Sequence, residues 1–357
     1  MRIATWNVNS LKARQEAVDR WLERAAPDIL LMQETKLGDT DAPVMSFSMA
    51  GYQLVHHGEG RWNGVALAAR QGLEIGDIVT NFGDGPVRDS GPGGVAAAAG
   101  EDDFDPFDEA RMLALTVDGL RIVTVYAPNG RVVGSPFYAG KLAWFERLRR
   151  WLESERSAGR GESLVLGGDF NVAPADIDVW DPAAAHGGTH VSEAEREAFR
   201  RLVDDGLTDA YRARHDEPGR YTWWDYRAGM FHKNFGMRID HLLVGSAVAP
   251  RVVDAEIDRQ ARKSPPKPAS AAACISFCIE EVLLVASSLY VNRFVSPAWR
   301  LMTLIASLPP MAVSPPITVT KRNPASAAWL SSFSIVEVLL VARMRYSIAA
   351  FSTAPVF

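Results

Sequence analysis

Along residues 1–268, short apolar runs alternate with longer stretches whose apolar positions recur every three or four residues. RIATWNVN, at the start, predicts a strand. In LKARQEAVDRWLERAAP, Leu11, Val18, Trp21 and Leu22 share one helical face, and the helix ends near Pro27. DILLMQET predicts a second buried strand. GVALAAR, MLALTVD and RIVTVYAP predict three more, the last two joined by a turn at Asp118-Gly119. KLAWFERLRRWLESERS predicts a long amphipathic helix, and SLVLGGDFN and RIDHLLVG two further buried strands. Residues 81–110, rich in Gly, Ala and Asp, predict a surface loop or insertion. Many strands with a few long helices, not in strict alternation, predict an α/β architecture of two packed sheets flanked by helices.

The pattern changes after Pro268. Residues 1–268 hold 32 basic and 40 acidic side chains, all seven His and all 28 Gly. Residues 269–357 hold nine charged residues and no Gly, His, Asp or Gln, so this segment lacks the usual means of making tight turns. It also repeats itself: PASAAACISFCIEEVLLVA from Pro268 and PASAAWLSSFSIVEVLLVA from Pro324 share 14 of 19 residues. Two copies are too few for a solenoid. Glu280 and Glu281, with Pro309, Pro310, Pro315 and Pro316, interrupt the apolar runs and argue against a membrane span. A shifted or wrong-strand reading frame beyond about residue 268 would produce such a composition. The expectation is therefore one domain over 1–268 and an atypical, frameshift-derived tail over 269–357.

The 357-residue chain carries a net charge of -5, which excludes a basic nucleic-acid coat but not an enzyme with local basic groups. Two cysteines, Cys274 and Cys278, make no disulfide framework, and the N-terminus has no leader-like apolar core. Both features predict a cytoplasmic protein. The polar residues that end the apolar strands carry the chemistry: Asn7, Glu34, Asp169 with Asn171, and Asp240. Alone, each would ordinarily be a solvated cap. Together they supply what phosphodiester hydrolysis needs: oxygens for a hard cation, a base for water, and donors for a phosphate gaining charge.

TWNVNS, LMQETK, VYAPNGR, LGGDFNVAP, YTWWDYR and GMRIDHLLV, in that order, resemble the endonuclease/exonuclease/phosphatase superfamily, and most closely its exonuclease III branch. The resemblance covers roughly residues 1–268. It implies a four-layer sandwich of two mixed β-sheets flanked by helices. It implies Mg2+-dependent hydrolysis of double-stranded DNA at abasic sites or 3′ ends in base excision repair, by a monomer, with Mn2+ as a substitute metal. Carried over by motif, Glu34 is the principal metal ligand, with Asn7 and Asn9 nearby. Asp169 activates water, and Asn171 holds the phosphate. Tyr126 acts at the scissile phosphate, Asn129 and Arg131 contact the backbone, and Asp240 belongs to the same cluster. Trp223, Met237 and Ile239 are the positions that receive an abasic sugar, which lacks a base and is cheap to extrude.

The family closes its domain with Pro-Ser-Asp-His-Ala-Pro. Here Pro268 is followed by ASAAAC, and the last strand is lost as well unless ISFCIEEVLLV packs in its place. His241 follows Asp240 but, on an alternating strand, should face away from it. His186, His190, His215 and His232 lie in polar loops without metal-ligand spacing. Two other functions remain open. One is another phosphoesterase of the superfamily, such as an inositol-phosphate phosphatase or sphingomyelinase, against which YTWWDYR and PNGR argue. The other is a catalytically impaired DNA-binding remnant, favoured by the missing Asp-His.

Overall fold

The computed structural model describes residues 1–82, 109–226, 228–261 and 274–279. Most of the expected loop at 81–110, the PPKP approach, the first tail repeat apart from residues 274–279 and the whole of the second lie outside the described residues. The chain divides into units Met1–Phe294 and Val295–Phe357, and every described residue belongs to the first.

The first half runs β1 (Arg2–Asn7), α1 (Leu11–Ala25), β2 (Ile29–Gln33), α2 (Val44–Met49), β3 (Tyr52–His57), β4 (Val65–Arg70) and β5 (Ile75–Thr80). After the undescribed stretch come β6 (Met112–Val117), β7 (Leu120–Tyr126), α3 (Pro136–Ser157) and β8 (Leu164–Asp169). The remainder is α4 (Pro182–Ala185), α5 (Glu193–Asp204), β9 (Thr208–Asp209), β10 (Trp223–Trp224), α6 (Met230–Lys233), β11 (Gly236–Met237), β12 (Asp240–Val244), β13 (Val252–Asp258) and β14 (Cys274–Ile279).

Two six-stranded sheets result, ordered β13-β14-β1-β2-β4-β3 and β5-β6-β7-β8-β12-β9. Each is mixed: β1–β2 and β7–β8 are parallel, and the other pairs are antiparallel. Alternation along the strands sorts side chains to two faces. Ile3, Leu31 and Leu67 meet Leu115, Ile122, Val165 and Leu242 in the core between the sheets. Ala4, Trp6, Leu30 and Met32 pack outward on Leu11, Val18, Trp21 and Leu22 of α1. On the other side, Val123, Val125 and Leu166 pack on Trp144, Phe145 and Leu148 of α3 and Phe199 and Leu202 of α5. The order helix, sheet, sheet, helix is the expected four-layer sandwich.

The long helix starts earlier than its apolar pattern indicates. Ser135 accepts from the Tyr138 amide at 3.2 Å, and Pro136 opens the first turn. The Asp118-Gly119 turn joins β6 to β7 with both residues left-handed, at φ 46° and 81°.

The sequence places the end of the motif-bearing domain at residue 268 and leaves open whether ISFCIEEVLLV packs as its last strand; Cys274–Ile279 forms a strand of the first sheet. It inserts between β1 and β13, antiparallel to both, with Arg2 opposite Cys278, Thr5 opposite Ile275 and Asp258 opposite Cys274. A sheet slot demands extended, β-prone residues and backbone donors and acceptors rather than one particular sequence, and CISFCI supplies them.

Candidate active site

The sheets deliver their polar strand ends to one edge. β1 and β2 run parallel with Asn7 opposite Gln33, so Glu34 follows directly beside Asn7. In the other sheet Asp169 lies opposite Tyr126 on β7 and opposite Asp240 on β12. The Asn7 side-chain amide bridges the two sheets, donating to Glu34 Oε1 and to Asp169 Oδ2, each at 2.8 Å. Its Oδ1 accepts from the Asn9 amide at 3.0 Å. Beyond the strands the backbone turns left-handed at Asn9 (φ 44°), Glu34 (φ 53°), Lys36 (φ 55°) and Asn171 (φ 53°). Such conformers cost energy for residues with a Cβ and persist where their surroundings hold them.

Asp169 Oδ1 accepts from the Asn171 amide at 2.8 Å. Burial is the largest influence on this carboxyl and, with the Glu34 charge, pushes its pKa up to about 7, against the bond from Asn7. Asp240 is fully buried, and neither of its oxygens has a hydrogen-bond partner of acceptable geometry among the described residues. Burial first, and Asp169 second, hold its pKa well above the carboxylate range, although the Thr222 hydroxyl is near enough to pull it down somewhat. Burial and then the Glu34 charge likewise raise Tyr126, so the phenol keeps its proton.

Asn129 and Arg131 are exposed on the loop after β7. The Asn129 amide donates to Asn171 Oδ1 at 3.3 Å, and the Arg131 amide donates to Asn129 Oδ1 at 3.1 Å. This brings the loop to Asn171. Trp223 and Met237 are directly opposed on the β10–β11 ribbon and pack on Ile239, Ala173, Val179 and Val191. Ile239 is only 1% exposed, so it backs the other two rather than offering surface of its own.

Several residues at the site escaped the sequence reading. The Lys36 ammonium pairs with Glu34 Oε2 at 2.8 Å and bonds Asn9 Oδ1. A cation is thus already held by the oxygens expected to bind metal. Among the described residues no three His, Cys, Asp or Glu side chains cluster as a protein-only cage. His190, expected in a polar loop, is buried; its Nδ1 lies 2.6 Å from the Asn171 carbonyl oxygen and its ring 6.0 Å from that of Trp223. Lys141 is buried behind the same carbonyl, at 2.8 Å. His241 lies on the face of β12 away from Asp240, with Nε2 2.9 Å from Val172 O and its ring against Phe170 and Phe199.

The sequence model of the Endonuclease/Exonuclease/phosphatase family matches residues 4–282. An exodeoxyribonuclease of Bacillus subtilis is 30% identical over 261 residues, spanning 72% of this chain and 93% of that protein. Exodeoxyribonuclease III of Haemophilus influenzae is 28% identical over 271 residues, spanning 72% and 92%. A Neisseria 3′ phosphatase, solved with a product DNA hairpin, superposes with a TM-score of 0.68 at 35% identity, over 78% of this chain and 99% of that one. An AP endonuclease of Archaeoglobus fulgidus superposes at 0.64 with 29% identity, again over 78% and 99%. Among the described residues no helix is long and apolar enough to cross a membrane.

Proposed function

Because this chain belongs to the endonuclease/exonuclease/phosphatase family, and within it to the exonuclease III type, we propose that its site is a Mg2+-dependent phosphodiesterase centre for duplex DNA, acting at 3′ ends and abasic sites in repair. The observation that carries the reading is the Asn7 amide joining Glu34 of one sheet to Asp169 of the other. Glu34 would hold the metal, with Asn7 and Asn9 beside it. Mg2+ bound there, or Mn2+ in its place, would supply positive charge to a phosphate oxygen. Asp169, with its pKa raised to about 7, is suited to accept a proton from water near neutral pH. Tyr126 keeps its O–H and serves as a donor, while Asn171 and Asn129 offer side-chain N–H groups to phosphate oxygens. Arg131, exposed at the rim, would meet the DNA backbone. Trp223 and Met237, backed by Ile239, would receive a sugar that lacks a base. The 3′ phosphatase and AP endonuclease among the structural relatives support both kinds of substrate.

Asp240 supports a second statement. Among the described residues neither oxygen of this fully buried carboxyl has a hydrogen-bond partner of acceptable geometry, which supports a missing partner. The absence of Asp and His after Pro268 removes the candidates. Turnover by this chain is therefore impaired, while Mg2+ and DNA binding persist. Role assignment is tested in a version carrying Ser270→Asp and Ala271→His. Glu34→Ala or Asp169→Ala in that background should each slow Mg2+-dependent cleavage of an abasic-site duplex by roughly 10²–10⁴-fold. Unchanged rates, or preference for soluble phosphoesters over DNA, would refute the assignment.

A further inference from the structure

Behind the exposed site lies a charged pair that the chemistry above does not use. Lys141 on α3 and Glu195 on α5 form an ion pair with both side chains fully buried. The ammonium spends its remaining donors on main-chain oxygens, Asn171 O at 2.8 Å and Asn129 O at 3.4 Å. Glu195 is equally occupied. Its Oε1 accepts from the His190 amide at 3.1 Å, and its Oε2 from the Ser192 amide at 3.2 Å and hydroxyl at 2.5 Å. His190 returns to the same place, its Nδ1 donating to the Asn171 carbonyl at 2.6 Å.

That carbonyl belongs to a left-handed residue, Asn171 at φ 53°, and the Asn129 turn continues through Gly130 (φ 81°) and Arg131 (φ 52°). Neither turn is part of a sheet or helix ladder. Backbone carbonyls of both converge on one ammonium, and their side chains meet in front of it at 3.3 Å. We propose that the Lys141–Glu195 pair is a positioning device, fixing the Asn129 and Asn171 turns in the shape that presents their side-chain amides to a DNA phosphate. This rests on the nuclease reading above. A buried ion pair is poor evidence for stabilisation, because apolar side chains of similar size often serve stability as well. An apolar pair cannot supply N–H donors to two carbonyls, however, and there the positioning role becomes separable.

The test is the double variant Lys141→Met/Glu195→Met, in which no charge is left unpaired. Two measurements are made on the full chain. One is amide hydrogen exchange in segments 127–131 and 169–173, with residues 65–70 as internal reference. The other is fluorescence anisotropy titration of a nicked duplex bearing a 3′ phosphate, in Ca2+. Exchange should accelerate in both turns while the reference stays protected, and affinity should fall about tenfold, the scale on which removal of supporting partners acts at other sites. Unchanged exchange in either turn, or affinity within about twofold of the parent, overturns the proposal. If the parent itself does not bind the duplex, the nuclease reading fails and exchange alone decides the positioning claim. Should the double variant not fold, Glu195→Gln, which keeps the shape and an oxygen acceptor, is read by the same criteria.

Discussion

Asp169 and Asp240 lie opposite one another across β8 and β12, and both hold a proton well above the pH at which a free carboxyl loses it. The folded pKa of Asp169, about 7, exceeds its unfolded value, so folding favours the protonated form. Its stability contribution is complete below about pH 4 and is lost as pH rises toward 7. Asp178 and Asp209 behave oppositely. Asp178 is buried and Asp209 largely so, which opposes ionisation, but Arg238 and its neighbours more than compensate and hold both low. Their contribution is present above about pH 4 and is lost on acidification below it, so the two windows separate. In protein freed of divalent cations, the thermal midpoint should decline between about pH 4 and 7, and Asp169→Asn should flatten that decline. Added Mg2+ should stabilise more at pH 8 than at pH 6, because binding must displace the proton. A midpoint indifferent to pH over this window would show that Asp169 titrates normally. At this scale the sequence was legible where a polar residue interrupts an apolar strand, as at Asn7, Glu34, Asp169 and Asp240. Lys141 was not legible, because a lysine within an amphipathic helix reads as a solvated position. Nor was His190, because nothing in a polar loop announces that its ring is buried.

Strands buried on both faces, such as β2, β4 and β7, read as continuous apolar runs and were found from sequence. The half-exposed β5 and β13 were not, since their burial patterns lack sustained alternation. The helix α5 also passed unnoticed, having few apolar positions; a capping box from Ser192 to Glu195 starts it. The element that sets the site most tightly is β8, through its two glycines. A Cβ on Gly168 would stand 1.9 Å from the Val125 carbonyl oxygen of β7, a backbone atom that cannot step aside. A Cβ on Gly167 would meet the methyls of Leu31 and Leu242 at 2.6 Å, where side chains can give. Gly168→Ala should therefore destabilise by at least about 1–3 kcal/mol in urea unfolding and also weaken Mg2+ binding, because the displaced backbone carries Asp169. Gly167→Ala should cost less and leave Mg2+ affinity near the parent value. Equal effects of the two on metal binding would contradict this account of β8.

For the whole molecule, the decisive feature is where the folded domain ends. The family model reaches residue 282 and β14 reaches Ile279, both beyond the change in composition at Pro268. Truncation after residue 282 should leave the unfolding midpoint close to that of the full chain. Truncation after residue 268 should lower it sharply, because β1 and β13 would each lose a partner strand and expose an edge. Identical midpoints for the two fragments would mean that β14 contributes nothing. The four-layer arrangement was readable from strand and helix patterns together with the ordered motifs. The last strand was legible only as an alternative, in ISFCIEEVLLV, because the sequence after Pro268 departs from the family's closing motif. The central claim joins both halves: the proposed DNA phosphodiesterase centre at one sheet edge, and its proposed impairment by the lack of Asp and His after Pro268. It is tested most directly by incubating an abasic-site duplex and Mg2+ with the 357-residue chain and, in parallel, with the Ser270→Asp/Ala271→His version. The account predicts little cleavage by the chain as it stands and cleavage at least about 10²-fold faster by the altered version, the scale of one positioned catalytic group. Comparable rates from the two, or none from either, would contradict it.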